Sequence, residues 1–127
     1  VAELVQLCID CGVDWCIENP ASSRVWLTRP ILKLLPMCEF VTFDFCQYGE
    51  PWRKRTSIAT SLPCLASISK LCTSSARYPC CSRTGKRHWQ LSGVDPTTKQ
   101  FRTLLACPYP RPLVRRIADI LGEHYGG

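Results

Sequence analysis

Long apolar runs are missing from this chain: no stretch reaches the ~18 consecutive apolar residues of a membrane-spanning helix, and no membrane association is expected. The first residues, Val1-Ala2-Glu3-Leu4-Val5-Gln6-Leu7, lack the charged leader, apolar stretch and small-residue cleavage pattern of a secretory signal. They also lack an initiator Met, and the 127 residues are expected to be a fragment of a longer protein. Acidic residues are in the minority, 10 against 16 Lys+Arg, for a net charge of +6. That charge is small per residue and 46% of the residues are hydrophobic, which excludes an intrinsically disordered chain. There is no internal repeat, and the length fits one domain able to bury its own core.

Cysteine is what the chain has in excess, ten in all. A secreted disulfide framework and a set of reduced intracellular thiols are the two competing readings. The apolar runs around Cys8, Cys16, Cys38 and Cys46 already supply a core, so the second is preferred, with free Cys acting as a small buried hydrophobe.

Periodicity organises the rest. Residues 2–11 have helical spacing with Gly12 as a cap, and 13–17 form a short β-branched and aromatic run that should stop before Pro20. Glu18 is thereby expected at a strand's carboxyl end. Ser22 and Ser23 can cap a helix running to Leu35. Residues 38–45 read as a strand, 47–55 as a turn with the densest charge, and 56–60 as a second strand, together a broad hairpin. A short helix is expected over 62–72, an irregular segment over 73–100, and an amphipathic helix over 112–124. The alternation argues for an α/β layered sheet, with the hairpin adding an antiparallel strand at one edge. Sites in such sheets lie beyond the strands' carboxyl ends, where Glu18 and the 47–55 turn are both expected to reach.

Two segments suggest chemistry. Glu18, preceded by apolar residues, could hydrogen-bond a nucleobase, although an acid before Asn19-Pro20 also simply caps a helix. Tyr48 and Trp52 offer flat faces beside Arg53, Lys54 and Arg55, a mixture suited to phosphates and an unstacked base, although adjacent cations are as often a solvated loop. A third constellation, Cys64-x7-Cys72-x7-Cys80-Cys81-x6-His88, supplies thiolate and imidazole ligands for tetrahedral zinc, with Cys72, Cys80, Cys81 and His88 as the candidate set. Its spacing differs from the paired Cys-x2-Cys knuckles of familiar zinc sites. Cys8-x2-Cys11-x4-Cys16 reads as buried thiols, and His124 as a partner of the last helix's dipole.

Taken in order, Glu18-Asn19 at a strand end, a helix, and a strand leading into Tyr48-Gly49-x-Pro51 with basic residues and an apolar strand resemble the later motifs of cytosine-5 DNA methyltransferases. More loosely, the segments 17–23, 46–49, 88–93 and 109–110 resemble divergent methyltransferase-like segments of viral, mobile-element and protist reading frames. The resemblance implies a partial Rossmann-like methyltransferase sheet with a terminal antiparallel hairpin, followed by an irregular Cys-rich segment and a C-terminal helix. Residues 1–62 would hold the sheet and motifs, and 63–127 the Cys-rich and basic part of the same domain.

It further implies that Glu18 contacts the flipped cytosine as the catalytic residue and that Asn19 supports its turn. Tyr48, Trp52, Arg53, Lys54 and Arg55 would contact DNA. The family's two arginines fall on Arg53 and Arg55 or, without a one-residue shift, on Lys54 and Thr56. Pro20 stands where valine is usual and Trp52 where glutamine is usual. S-adenosylmethionine is the implied cofactor, but neither a Phe-x-Gly-x-Gly turn nor a Pro-Cys nucleophile precedes Glu18, so no activity is expected from this chain alone. The family extrudes its target base from the duplex. The competing readings are a non-catalytic basic nucleic-acid-binding module, gripping phosphates through the hairpin and through Arg77, Arg83, Lys86, Arg87 and His88, and a zinc-stabilised interaction domain. An intracellular location, nuclear or in a viral or mobile-element setting, is expected.

Overall fold

The computed structural model describes residues 1–126 as a mixed α/β domain. Three strands, β1 (Cys16–Pro20), β2 (Glu39–Asp44) and β3 (Arg55–Thr60), form one sheet in the order β1-β3-β2. Both outer strands pair antiparallel to β3, so β1 and β2 run in the same direction. The expected hairpin is there, but its second strand occupies the middle of the sheet instead of an edge.

That central position explains why the apolar and small residues of β3 are buried on both sides. Ile58 packs with Val41, Phe43, Leu65, Leu113 and Ile120 on one face, while Ala59 joins Val5, Ile17, Trp26, Ile31 and Leu34 on the other. Its hydroxyls cannot reach solvent and find partners inside: Thr60 donates to the Trp15 carbonyl at 2.9 Å, and Ser57 meets Thr42 at 2.8 Å.

Among the described residues there are four α-helices: α1 (Ala2–Asp10), α2 (Arg29–Leu34), α3 (Arg102–Leu105) and α4 (Arg111–Gly126). The helix expected from Ser22 to Leu35 is broken into a 3-10 turn at Arg24–Leu27, then α2, then a second 3-10 turn at Leu35–Met37. Thr28 is extended between the first two, and Pro30 and Pro36 start the pieces that follow. Over the expected helix 62–72 only a 3-10 stretch forms, Pro63–Ile68, and the chain then runs out past the end of β2. Ser69 donates to the Thr42 carbonyl at 2.8 Å, and the Lys70 carbonyl accepts the Asp44 N–H at 2.9 Å. α4 docks Leu113 and Ile120 as its amphipathic spacing predicts, while Val114 stays exposed. Between 73 and 100 the backbone is irregular, pinned by single bridges at Cys80–Arg87 and Val94–Phe101. No described helix is long and apolar enough to cross a membrane.

Candidate metal centre

The bend joining β2 to β3 folds back over the end of the sheet. It begins with a 3-10 turn, Phe45–Tyr48, closed by Gly49 at φ 106°, a left-handed conformation that glycine adopts without penalty. This turn buries Cys46 completely and aims it at two cysteines of the irregular segment, Cys72 and Cys81. With His88 they form a cluster whose ligand atoms all lie within 4.8 Å of one another.

A tetrahedral zinc with Zn–S of ~2.3 Å and Zn–N of ~2.0 Å sets its ligand atoms roughly 3.5–3.8 Å apart. Cys72 Sγ and His88 Nε2 already stand at 3.6 Å. Three thiols and one imidazole are a Cys3His donor set, and all three cysteines are buried.

The surroundings complete the fit. Gln47 Nε2 donates to Cys46 Sγ at 3.4 Å and reaches Cys81 Sγ at 3.8 Å, and the Ser82 N–H donates to Cys72 Sγ at 3.5 Å. Such N–H···S contacts orient metal ligands and disperse thiolate charge. Burial pushes the Cys46 thiol up to about 12. Burial opposes ionisation of Cys72 as well, but hydrogen bonds from Ser74 and Ser82 outweigh it and bring that thiol down to about 5.

Three guanidiniums hold the ligand backbone. Arg83 Nε donates to the Cys46 carbonyl, while Arg53 and Arg55 donate to the Cys72 carbonyl at 3.3 and 3.4 Å. Arg55 also makes a bidentate pair with the fully buried Asp44, 2.9 Å on each arm, and Arg53 approaches the same carboxylate at 3.5 Å. Burial works against the charge on Asp44, yet the hydrogen bonds of Arg55 and the Cys72 N–H and the two positive charges keep its carboxyl below the usual range.

The structure brings together three of the four expected ligands and replaces the fourth. Cys80 is exposed and paired through its backbone with Arg87, because successive residues of an extended chain point to opposite sides and Cys81 takes the inward position. Cys46 takes the fourth position; in the sequence its thiol reads as core, because its partners lie far along the chain. All ten cysteines are free thiols.

The expected base and phosphate contacts are largely internal. The Tyr48 ring is buried against Phe43, its hydroxyl donating to the Ile68 carbonyl at 2.5 Å. Trp52 is buried with its edge toward Trp89, and Arg53 and Arg55 are engaged by Asp44. Lys54, at a left-handed φ of 39°, reaches the Ala106 carbonyl and lies over the Phe45 ring at 4.7 Å.

Glu18 is not at a strand end: β1 continues through Pro20, whose carbonyl accepts from Trp26 Nε1 at 3.0 Å, and Glu18 pairs with Ile58 in mid-strand. It is exposed, and strand alternation turns Asn19 to the opposite face. One link between Glu18 and the bend survives. Tyr109, whose hydroxyl is raised above its ordinary value by burial and then by the Glu18 carboxylate, lines a cavity of about 440 Å³ together with Tyr48, Gly49 and Glu50. No family model, curated protein or solved structure matches this chain.

Proposed function

We propose that this chain is a zinc-stapled, nucleic-acid-directed part of a cytosine-5 DNA methyltransferase-like domain, corresponding to its C-terminal region. The observation that carries the zinc half is the convergence of Cys46, Cys72, Cys81 and His88 on one point. Without a metal the segment 73–93 has little apolar burial to order it, and zinc would supply that order directly. Three thiolate ligands also suit a reducing compartment, in keeping with an intracellular protein in a nuclear, viral or mobile-element setting.

The methyltransferase half is supported by the order of its parts: a strand bearing Glu18-Asn19, a helical crossover, and the Tyr48-Gly49-x-Pro51 bend inside a hairpin. A partial Rossmann-like sheet is the corresponding fold reading. S-adenosylmethionine and a cysteine nucleophile would have to be supplied from outside these residues, so the role proposed for this region is to bind DNA rather than to transfer the methyl group itself. The cations left free for phosphates are those of the metal-ordered loop, Arg77, Lys86 and Arg87, all exposed, with Arg83 beside them.

The test is metal analysis of the chain purified without chelator, paired with DNA affinity as a function of salt. One zinc per chain is expected, with a fall in thermal midpoint when a chelator removes it; a content well below one with an unmoved midpoint overturns the zinc half. Log affinity for DNA should fall linearly with log salt. Absence of binding at low salt overturns the nucleic-acid half.

A further inference from the structure

Trp89 is the residue after the His88 ligand, and its side chain remains 48% exposed. It is nonetheless held firmly. Its backbone N–H donates to the Pro51 carbonyl at 2.9 Å, Trp52 packs an edge against it with centroids 6.3 Å apart, and the Arg102 guanidinium lies 5.6 Å from its centroid. A tryptophan so fixed loses little further freedom when something stacks on it.

Two clefts meet at this ring. One, of about 350 Å³, is bounded by Arg53, Lys54, His88 and Trp89. The other, of about 230 Å³, is bounded by Glu50, Arg83, Lys86, Arg87 and Trp89. Cations therefore flank a half-exposed aromatic on both sides, with Glu50 the single acid among these residues.

We propose that Trp89 is a stacking platform for an unpaired base of single-stranded nucleic acid, with the neighbouring phosphates running toward Arg83, Lys86 and Arg87. The inference rests on the nucleic-acid reading above and names its ligand class and contact residue. A duplex keeps its bases stacked on one another, so only an unpaired or extruded base can present its face to the indole.

The experiment uses the zinc-loaded chain and a fluorescein-labelled oligothymidylate, followed by anisotropy and by tryptophan emission. Base stacking on an aromatic residue contributes about 1–3 kcal/mol, so Trp89→Ala should weaken binding about 5- to 150-fold. Its zinc content and the slope of affinity against salt should stay as in the wild type, because the substitution removes no charge. The oligonucleotide should also quench tryptophan emission in the wild type but not in Trp89→Phe, a milder variant that keeps an aromatic ring in place. Wild-type affinity in Trp89→Ala, or a full quench in Trp89→Phe, overturns the platform while leaving a charge-based nucleic-acid reading intact. A zinc-loaded wild type that binds neither the oligothymidylate nor a duplex at low salt overturns that reading and the platform with it. Competition by inorganic polyphosphate, which has no bases, should weaken binding of wild type and Trp89→Ala alike.

Discussion

Asp44 Oδ2 accepts the backbone N–H of Cys72 at 2.6 Å, which joins the last residue of β2 to a ligand of the candidate metal centre. The same carboxylate gathers Arg53 and Arg55, and both guanidiniums also hold the Cys72 carbonyl. Backbone N–H and C=O of one cysteine are thus both fixed from the end of the sheet. This buried acid ties the hairpin to Cys72, where the irregular segment begins.

Asp44→Asn should therefore act on stability and on metal together. Removing one partner of a buried ion pair costs roughly 3–5 kcal/mol. The two arginine side chains left behind are 34% and 37% exposed, so water screens their charges and a loss smaller than that range is expected in urea unfolding. Loss of a group that orients a metal ligand typically lowers affinity by about 10- to 100-fold. Competition with a chromophoric chelator measures this, and unchanged zinc affinity would show that the carboxylate does not position Cys72.

The choice between Cys46 and Cys80 is tested by exchanging each for serine. Cys46→Ser removes a buried thiol of the cluster and should drop zinc content well below one per chain, with a lower thermal midpoint. Cys80→Ser alters an exposed side chain and should leave both within error, as surface substitutions usually shift stability by less than about 0.5 kcal/mol. The opposite pattern would restore the ligand set expected from spacing.

Those two cysteines show where sequence reasoning reaches its limit. Periodicity locates β2, β3, α1 and α4 to within a few residues, because each buries a regular apolar face. Cys72, Cys81 and His88 are legible as ligands because they share one segment without a core of its own. Cys46 is not, since only the fold-back of the 45–48 turn brings it to them. The aromatic and basic residues of the bend mislead for a related reason. Composition shows that Tyr48, Trp52, Arg53 and Arg55 stand in a turn, but the same turn packs on the sheet end and meets Asp44, the buried acid that ends β2 and whose role depends on tertiary structure. Glu18 is displaced by register: Pro20 reads as a block to the ladder, yet at the end of an edge strand it still pairs with Thr56.

Because the bend's arginines are engaged internally, the two cationic sets should differ in their effect on DNA binding. Replacing Lys86 and Arg87 with Ala should reduce the salt slope by about 0.7–0.9 for each phosphate no longer neutralised, with little change in unfolding. Replacing Arg53 and Arg55 with Ala should destabilise the fold by leaving Asp44 buried without its partners. A larger drop in slope from the second pair than from the first, with stability preserved, would return the phosphate grip to the bend.

The last turn of α4 is tied to the entry of β1 by a hydrogen bond from the Tyr125 hydroxyl to Asp14, which also accepts from Ser61 at 3.0 Å. The Tyr125 and Ser61 hydrogen bonds hold the Asp14 carboxyl below its ordinary value, and the bond to Asp14 pushes Tyr125 up to about 12. A depressed acid contributes stability that is complete above its unfolded value, near ~3.9, and is lost as pH falls through the folded value. A raised phenol contributes stability that is complete below its unfolded value, near ~10, and is lost as pH rises through about 12. The tie should accordingly hold between those limits and loosen at both ends. Tyr125→Phe removes it at every pH, so the difference in urea midpoint between wild type and variant should be flat from about pH 5 to 9 and shrink outside that window. Taking the difference cancels the titration of the thiols and histidines, which both proteins share. A difference that stays constant down to pH 2 would mean that the Asp14 charge has no part in docking the helix end.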